Sequence, residues 1–217
     1  MINRIKEAIG AFVTNEEETP AEPRLVIVDP AALQAFTTEE EPRSHLLGLF
    51  AEVAEEKIAE LIHALLVVAE NEHDKEDEKK IPIDFYLSTY GGSADDMFAL
   101  YDILRLVRED IMIRTVGLGK VMSAGVLLLA AGTKGERRIG KNCRVMIHSV
   151  MGGNHGSLHN MMNEMEAIEQ LQEMYCDCLV EETKLSRSKL KKMIERKVNV
   201  YLTAEEAVEL GIADIII

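Results

Sequence analysis

The sequence predicts an α/β fold made of repeated β-α-β units. Short apolar runs of strand length alternate along the chain with longer segments whose apolar residues recur at helical spacing. Such alternation implies a parallel sheet with crossover helices, whose ligand sites normally lie at the carboxyl ends of the strands. The sequence contains neither an internal repeat nor a second apolar core, so residues 24–217 are predicted to form one domain.

The composition favours a folded, acidic protein. The 217 residues are 47% hydrophobic and 29% charged, which is typical of globular chains. A formal net charge of −14 would repel a phosphate backbone, which argues against nucleic acid as a partner. The longest apolar runs are far shorter than the roughly 18 residues of a membrane span, and no signal-peptide pattern follows Met1. We therefore expect a cytoplasmic protein without a membrane partner.

The cysteines do not indicate a redox or metal function. Their number is odd, and Cys176 and Cys178 lie two positions apart in a predicted helix, where they point to different faces. The sequence therefore predicts no disulfide framework, no metal site and no cofactor.

The first 52 residues contain few clear elements. An amphipathic pattern predicts a helix near residues 2–13, and the acidic, proline-containing stretch that follows completes a mobile extension over residues 1–23. Residues 24–29 form an apolar run typical of a buried strand, residues 30–42 a variable loop, and residues 44–48 a possible second strand.

Residues 53–108 show the strongest periodicity. Helical spacing of apolar residues over 53–70 predicts a helix, and the charged run 70–80 is typical of a solvated surface loop. A strand over 81–87 then leads through the glycine-bearing turn 88–93 into a helix over 94–108.

The second half of the chain continues the alternation. The pattern predicts a strand over 111–117, an apolar helix over 122–131, a strand over 143–147, a long helix over 158–183, a basic helix over 186–197, a helix over 203–211 and a final strand over 212–217. Thr203 with Glu206 three residues later has the pattern of a capping box.

Two side chains in this half are suited to nucleophilic catalysis. Ser123 lies at the amino end of the apolar helix, where backbone N–H groups stabilise developing negative charge. His148 follows the 143–147 strand, so it reaches the same edge of a parallel sheet and could remove the serine proton. From spacing alone, the pattern favours an N-capping serine and a structural histidine, because Val121 replaces the first glycine of a G-x-S-x-G elbow.

Gly91 and Gly92 form a turn at the carboxyl end of the neighbouring strand. A glycine pair lets the backbone approach a ligand closely with its N–H exposed. The Gly92 and Ala124 N–H groups are therefore candidates for the two donors of an oxyanion hole.

Several motifs in fixed order resemble the proteolytic subunit of the ATP-dependent Clp protease. They are Leu87-Ser-Thr-Tyr-Gly-Gly-Ser93, Met122-Ser-Ala-Gly125, Leu129-Ala-Ala-Gly-Thr-Lys-Gly135, Asn142-Cys-Arg-Val-Met-Ile-His148 and Leu202-Thr-Ala-Glu-Glu-Ala-Val-Glu-Leu-Gly-Ile-Ala-Asp214. The resemblance extends from about Leu46 to the C-terminus. It implies the ClpP/crotonase-type α/β fold with a protruding handle helix over residues 158–183.

The resemblance also implies an activity and its site residues. Ser123 resembles the nucleophile of a serine endopeptidase, His148 its general base, and Gly92 and Ala124 its oxyanion-hole residues. Gly152, Gly153 and Asn154 belong to a segment that resembles the one binding polypeptide substrate as an added strand. As partners, the family implies further copies of the same chain, which together form two stacked heptameric rings, and an AAA+ unfoldase, the Clp ATPase.

One departure from the family concerns the third member of the triad. The family places an aspartate after an Ile-Glu-Arg-like stretch, but no aspartate lies between Asp177 and Asp214 here. Lys197 or Asn199 occupies the position, and only the Asn199 amide oxygen can accept the imidazole N–H. Glu195 is a poorer substitute because it belongs to a solvated helix face.

The missing carboxylate leaves alternatives open. The chain could be a catalytically weak or inactive structural subunit of a ClpP-like ring. A crotonase-type acyl-CoA enzyme uses the same oxyanion geometry, but it needs no Ser–His pair, so the presence of Ser123 and His148 argues against it.

Overall fold

The structure of the chain is a computed structural model that describes residues 44–153, 155–195 and 199–217. The helix predicted near residues 2–13, the rest of the extension to residue 23 and the strand predicted at 24–29 lie outside the described residues, as do Asn154 and Lys197. The description below starts at Ser44.

Seven strands form one mostly parallel sheet, which confirms the predicted fold class. They are β1 (His45–Leu49), β2 (Ile83–Thr89), β3 (Ile113–Met122), β4 (Arg138–Ile139), β5 (Arg144–Ile147), β6 (Val200–Leu202) and β7 (Ile215–Ile216). The order β1-β2-β3-β4-β7 is parallel throughout. Strand β5 pairs in parallel with the end of β3, and β6 pairs antiparallel with β5.

The helices connect these strands and cover the sheet. They are α1 (Glu55–His73), α2 (Ala94–Val107), α3 (Ala124–Ala130), α4 (Leu158–Glu182), α5 (Arg187–Glu195) and α6 (Ala204–Glu209), with a short 3-10 helix at Asp77–Lys79. All seven residues of α3 are buried, because α3 packs between the sheet, α2 and α4. By contrast, most of the first four turns of α4 are exposed. The predicted capping box at the start of α6 is confirmed.

Strand β3 changes its partner along its length. Val116 and Gly117 pair with β4, whereas the last three residues of β3, from Lys120 onwards, pair with β5. Gly119 lies between the two pairings at φ 64°, a conformation that a side chain with a Cβ adopts only under strain. The strand therefore runs to Met122, five residues beyond its predicted end, and reaches Ser123 directly.

The prediction of a solvated loop over residues 70–80 is wrong at its start. Helix α1 continues to His73, and Glu72 is only 1% exposed. Burial would raise the pKa of Glu72, but hydrogen bonds from Lys75, the Ile81 N–H and His45 lower it to about 2. Glu72 thus anchors the charged segment to the start of β1, which the local sequence pattern does not reveal.

A second buried charge network joins α2, α4, β4 and the C-terminal segment. The Glu182 carboxylate accepts hydrogen bonds from the Tyr101 hydroxyl and from both Nη atoms of Arg108. Arg137 donates to the Glu182 carbonyl oxygen at 2.7 Å and forms a two-point contact with Asp214, at 2.7 and 2.6 Å. Because Glu182 and Arg137 are buried, their charges are stable in the core only while these partners remain.

Two further differences from the predicted elements concern short segments. Strands β4 and β6 were not predicted, since two or three residues are too few for a periodicity signal. The helix predicted over 122–131 begins only at Ala124, because Met122 still belongs to β3. Within the part of the chain that the structure describes, no helix is both long and apolar enough to cross a membrane.

Candidate active site

Ser123 occupies a strained turn between β3 and α3. Its backbone has φ 53° and ψ −123°, and no other non-glycine residue in the described ranges has a positive φ. Its N–H donates to the Met146 carbonyl oxygen at 2.8 Å, which fixes the turn against β5. Although Ser123 is at the N-cap position of α3, its hydroxyl makes no capping hydrogen bond. Strain of this kind, about 1–3 kcal/mol, is typical of functional sites, so the structure favours a reactive serine over an N-cap.

Gly92 presents its N–H toward the same turn. The Val53 N–H donates to the Gly91 carbonyl oxygen and the Ser93 N–H donates to the Val53 carbonyl oxygen, both at 2.8 Å. These two hydrogen bonds form a parallel bridge between Val53 and Gly92. In such a bridge the N–H of the central residue, Gly92, faces away from Val53. A Cβ on Gly92 would lie 2.1 Å from the Val53 carbonyl oxygen, so only glycine fits here.

The predicted second donor, Ala124, is the first residue of α3. An N–H in the first turn of a helix has no acceptor within that helix. The N–H of Gly91, in contrast, donates to the Thr89 hydroxyl oxygen at 3.0 Å and is already used. The Gly92 and Ala124 N–H groups therefore remain the candidate donors of an oxyanion hole.

Ser123, His148, Gly92 and Ala124 line a single cleft of about 390 Å³. His148 follows β5 directly and is half-buried. Within the described ranges no hydrogen bond joins the His148 ring to Ser123 or to Asn199. The predicted nucleophile, base and oxyanion donors thus line the same cleft, but no hydrogen bond joins the Ser123 and His148 side chains in the described ranges.

Asn199 comes directly before β6, and His148 directly after β5. The antiparallel register joins Ile147 to Val200, so the next two residues outward along the pair are His148 and Asn199. Asn199 is exposed and does not line the cleft. Glu195, the weaker candidate, is exposed at the end of α5.

The segment after His148 forms one wall of the cleft. Ser149, Val150 and Met151 line it, and the Val150 N–H donates to the Gln172 side-chain oxygen on α4 at 3.2 Å. Gly152 and Gly153, which the resemblance implied as substrate-binding, follow just beyond this lining. A Cβ on Gly152 would lie 2.4 Å from Ile168, so this glycine lets the segment approach α4 closely.

Tyr175 forms the base of the cleft and was not predicted as a site residue. It is 5% exposed, and its hydroxyl donates to the Ser123 carbonyl oxygen at 3.1 Å. Burial raises the pKa of Tyr175, so the phenol stays protonated and keeps donating at working pH. Helical periodicity could have placed Tyr175 on the buried face of α4, but not beside a residue 52 positions away.

The remaining cleft wall is mixed in character. Met97 and Ala94 of α2 contribute apolar surface, while the exposed carboxylate of Glu52 and the ring of Tyr90 border the entrance. Glu52 and Met97 were also not predicted. Glu52 reaches the cleft next to Val53, which forms an isolated parallel bridge with Gly92, and Met97 reaches it from the first turn of α2.

Comparison with protein families agrees with this geometry. The family model for the Clp protease matches residues 43–217, which include every described element and all cleft residues. The match, together with the mostly parallel sheet and its helices, confirms the ClpP/crotonase-type α/β fold that the motifs implied. The chain therefore belongs to the Clp protease family.

Proposed function

We propose that the protein is a serine endopeptidase of the Clp type that cleaves unfolded polypeptides. The observation that carries the proposal is the strained, uncapped Ser123 in one cleft with His148 and the unused Gly92 N–H. Apo catalytic hydrogen bonds are often long, so the open Ser123–His148 contact is compatible with this role.

In the proposed reaction the Ser123 Oγ attacks a peptide carbonyl carbon while one His148 ring nitrogen takes its proton. The Gly92 and Ala124 N–H groups donate to the oxygen on which negative charge develops. His148 then gives the proton to the departing amine, which leaves an ester between Ser123 and the acyl half of the substrate. Water, deprotonated by His148, hydrolyses this ester and restores the serine.

We assign Asn199 the role of a positioning residue. Its amide oxygen could accept the N–H of the ring nitrogen that faces away from Ser123 and so hold the imidazole in the productive tautomer. The register beside His148 supports this assignment over Lys197, which carries only donors. An amide supplies no charge for the imidazolium, so turnover is expected to be slow.

The assembly belongs to the same proposal. The exposed part of α4 carries the large apolar side chains of Leu158, Met162 and Met165, between 59% and 70% exposed. Apolar surface of this kind favours burial against other copies. We propose two stacked heptameric rings, fed by an AAA+ unfoldase in the cytoplasm.

A fluorophosphonate probe tests the nucleophile. We expect the assembled protein to be labelled at Ser123, as located by mass spectrometry, and the adduct to disappear in Ser123→Ala. Ser149→Ala is the matched control, because Ser149 lines the same cleft on an unstrained backbone and should leave labelling intact. Labelling on Ser149, or none in the assembled oligomer, would contradict the proposal.

The second candidate function is a structural ring subunit with little activity. It is favoured by one observation: among the described residues, no carboxylate contacts the His148 ring. An unlabelled but fully assembled protein would support this candidate. Binding of acyl-CoA, measured by calorimetry, would instead point to a crotonase-type enzyme.

Tyr175→Phe is expected to lower kcat about three- to tenfold with little change in KM. The variant loses one hydrogen bond of about 1 kcal/mol to the residue that carries the nucleophile. Tyr101→Phe is the matched control, since Tyr101 is also buried but donates to Glu182, away from the cleft. If both variants lose the same thermal stability and neither loses kcat, Tyr175 has only a structural role.

A further inference from the structure

Two cations lie side by side on the exposed face of the β3–β5 pair. Lys120 and Arg144 are direct partners in the parallel register, so their backbones lie about 4.8 Å apart on neighbouring strands. The Lys120 Nζ lies 4.6 Å from the centre of the Tyr90 ring, and the Arg144 guanidinium carbon lies 4.7 Å from the centre of the Tyr201 ring. Two tyrosine rings therefore flank two adjacent positive charges.

No residue that the structure describes neutralises these two charges. The other arginines that the structure describes all pair with carboxylates; they are Arg105, Arg108, Arg114, Arg137, Arg138 and Arg187. Neither Arg144 nor Lys120 has an acidic partner within the described ranges. In a chain with 38 acidic and 24 basic residues this is unexpected, because like charges opposite each other in a sheet destabilise it.

The cation pair adjoins the catalytic cleft. Tyr90 lines the cleft with Ser123, and it also lines, with Lys120 and Phe50, a second groove of about 370 Å³. Glu52 borders both spaces as the one carboxylate of the groove lining, but it does not pair with Lys120. A peptide that leaves the cleft past Tyr90 would therefore pass Lys120, and Arg144 is the register partner of Lys120 on β5.

We propose that Lys120 and Arg144 form a subsite for a carboxylate of the polypeptide substrate. The proposal rests on the proposed peptidase function. A guanidinium binds a carboxylate through two parallel N–H donors, and an adjacent ammonium adds a third. Contact with the tyrosine faces holds both cations in place by cation–π attraction and leaves their hydrogen-bond donors free. The carboxylate belongs either to an Asp or Glu side chain or to the C-terminus of the chain being cleaved.

Matched peptides test the subsite. One neutral fluorogenic peptide is prepared with an amidated C-terminus, a second carries a single Glu scanned over four positions on each side of the cleaved bond, and a third is neutral with a free C-terminus. We expect kcat/KM to be about fivefold higher for the best Glu peptide or for the free C-terminus than for the neutral amide. Which of the two is preferred identifies the source of the carboxylate.

The variants assign this preference to the cations. Arg144→Gln and Lys120→Gln should each bring the ratio of kcat/KM values toward one, while Arg144→Lys keeps part of it. Lys192→Gln, which changes the net charge equally on the distant helix α5, should keep the full ratio. Salt at 0.5 M should reduce the preference in the wild type, because exposed charges are screened.

A binding measurement separates the two proposals. Fluorescence anisotropy of the same peptides with Ser123→Ala needs no hydrolysis. If no peptide is cleaved but tight binding still requires a carboxylate and Arg144, the peptidase function is wrong and the subsite stands. If peptides are cleaved and the preference is absent, or is unchanged in Arg144→Gln and Lys120→Gln, the subsite is wrong. Dissociation of the oligomer in these variants with no change in preference would show that the cations bind another copy instead, which also overturns the proposal.

Discussion

An Asn199→Asp variant is expected to hydrolyse peptides about 10²-fold faster than the natural chain, or more. In serine proteases with a Ser-His-Asp triad, replacing the aspartate by asparagine costs about 10⁴ in turnover, because an amide can hold the wrong imidazole tautomer. A carboxylate only accepts hydrogen bonds and also stabilises the imidazolium. The register pairs Ile147 with Val200, and its continuation by one residue would set the new carboxylate at position 199 opposite His148.

The pH dependence of kcat/KM distinguishes this effect from a change in folding. A carboxylate stabilises the protonated form of a neighbouring base, so the acidic limb of the profile should move to higher pH in Asn199→Asp. Asn199→Ala is the matched control and should lower kcat/KM without moving the acidic limb of the profile to higher pH. Equal turnover in the natural chain and Asn199→Asp would show that residue 199 does not orient His148.

Asp214→Ala is expected to destabilise the fold by about 3 kcal/mol or more. The variant removes the two carboxylate oxygens that accept from Arg137, whose side chain is 5% exposed, and leaves a buried charge without a counter-charge. Asp177→Ala is the matched control, because Asp177 pairs with Arg187 at the surface, where an ion pair contributes less than about 1 kcal/mol. Urea unfolding at fixed protein concentration measures both changes. Equal losses of unfolding free energy in the two variants would show that the buried Arg137–Asp214 pair contributes no more than a surface ion pair.

The same pair gives the wild type a defined acid sensitivity. Burial would raise the pKa of Asp214, but hydrogen bonds from Arg137 and the Gly135 N–H hold it below its ordinary value of 3.8. The stabilisation is therefore complete above that ordinary value and is lost as pH falls through the lower native pKa. Asp214→Ala should lack this part of the acid destabilisation.

Local sequence was sufficient for most of the regular structure. The helices α1, α2 and α4 and the strands β2, β3 and β5 appear where apolar periodicity predicts them, with ends that differ by a few residues. The capping box at Thr203 was predictable because its two hydrogen bonds join residues three positions apart. Motif order was also sufficient to indicate the Clp protease family, since it depends only on residue types along the chain.

Charge burial could not be predicted in the same way. Glu72 and Glu182 are of a residue type that usually lies at the surface, and the charged run around Glu72 has the pattern of a solvated loop. Both carboxylates are buried because they accept hydrogen bonds from residues outside their own helical turn. The His45 partner of Glu72 lies 27 residues away, and the Tyr101 partner of Glu182 lies 81 residues away. No pattern within one helical turn encodes such partners.

The sequence by itself determined the alternation of strands and helices, the family and the identity of Ser123 and His148 as candidates. Only the tertiary structure decided that Ser123 is strained and uncapped, that the Gly92 N–H faces away from Val53, and that Tyr175 supports the serine from α4. It also paired Ile147 with Val200, the sequence neighbours of His148 and Asn199. The division has a physical reason: periodicity and caps depend on residues a few positions apart, whereas strain, donor direction and strand register depend on contacts between segments far apart in the chain.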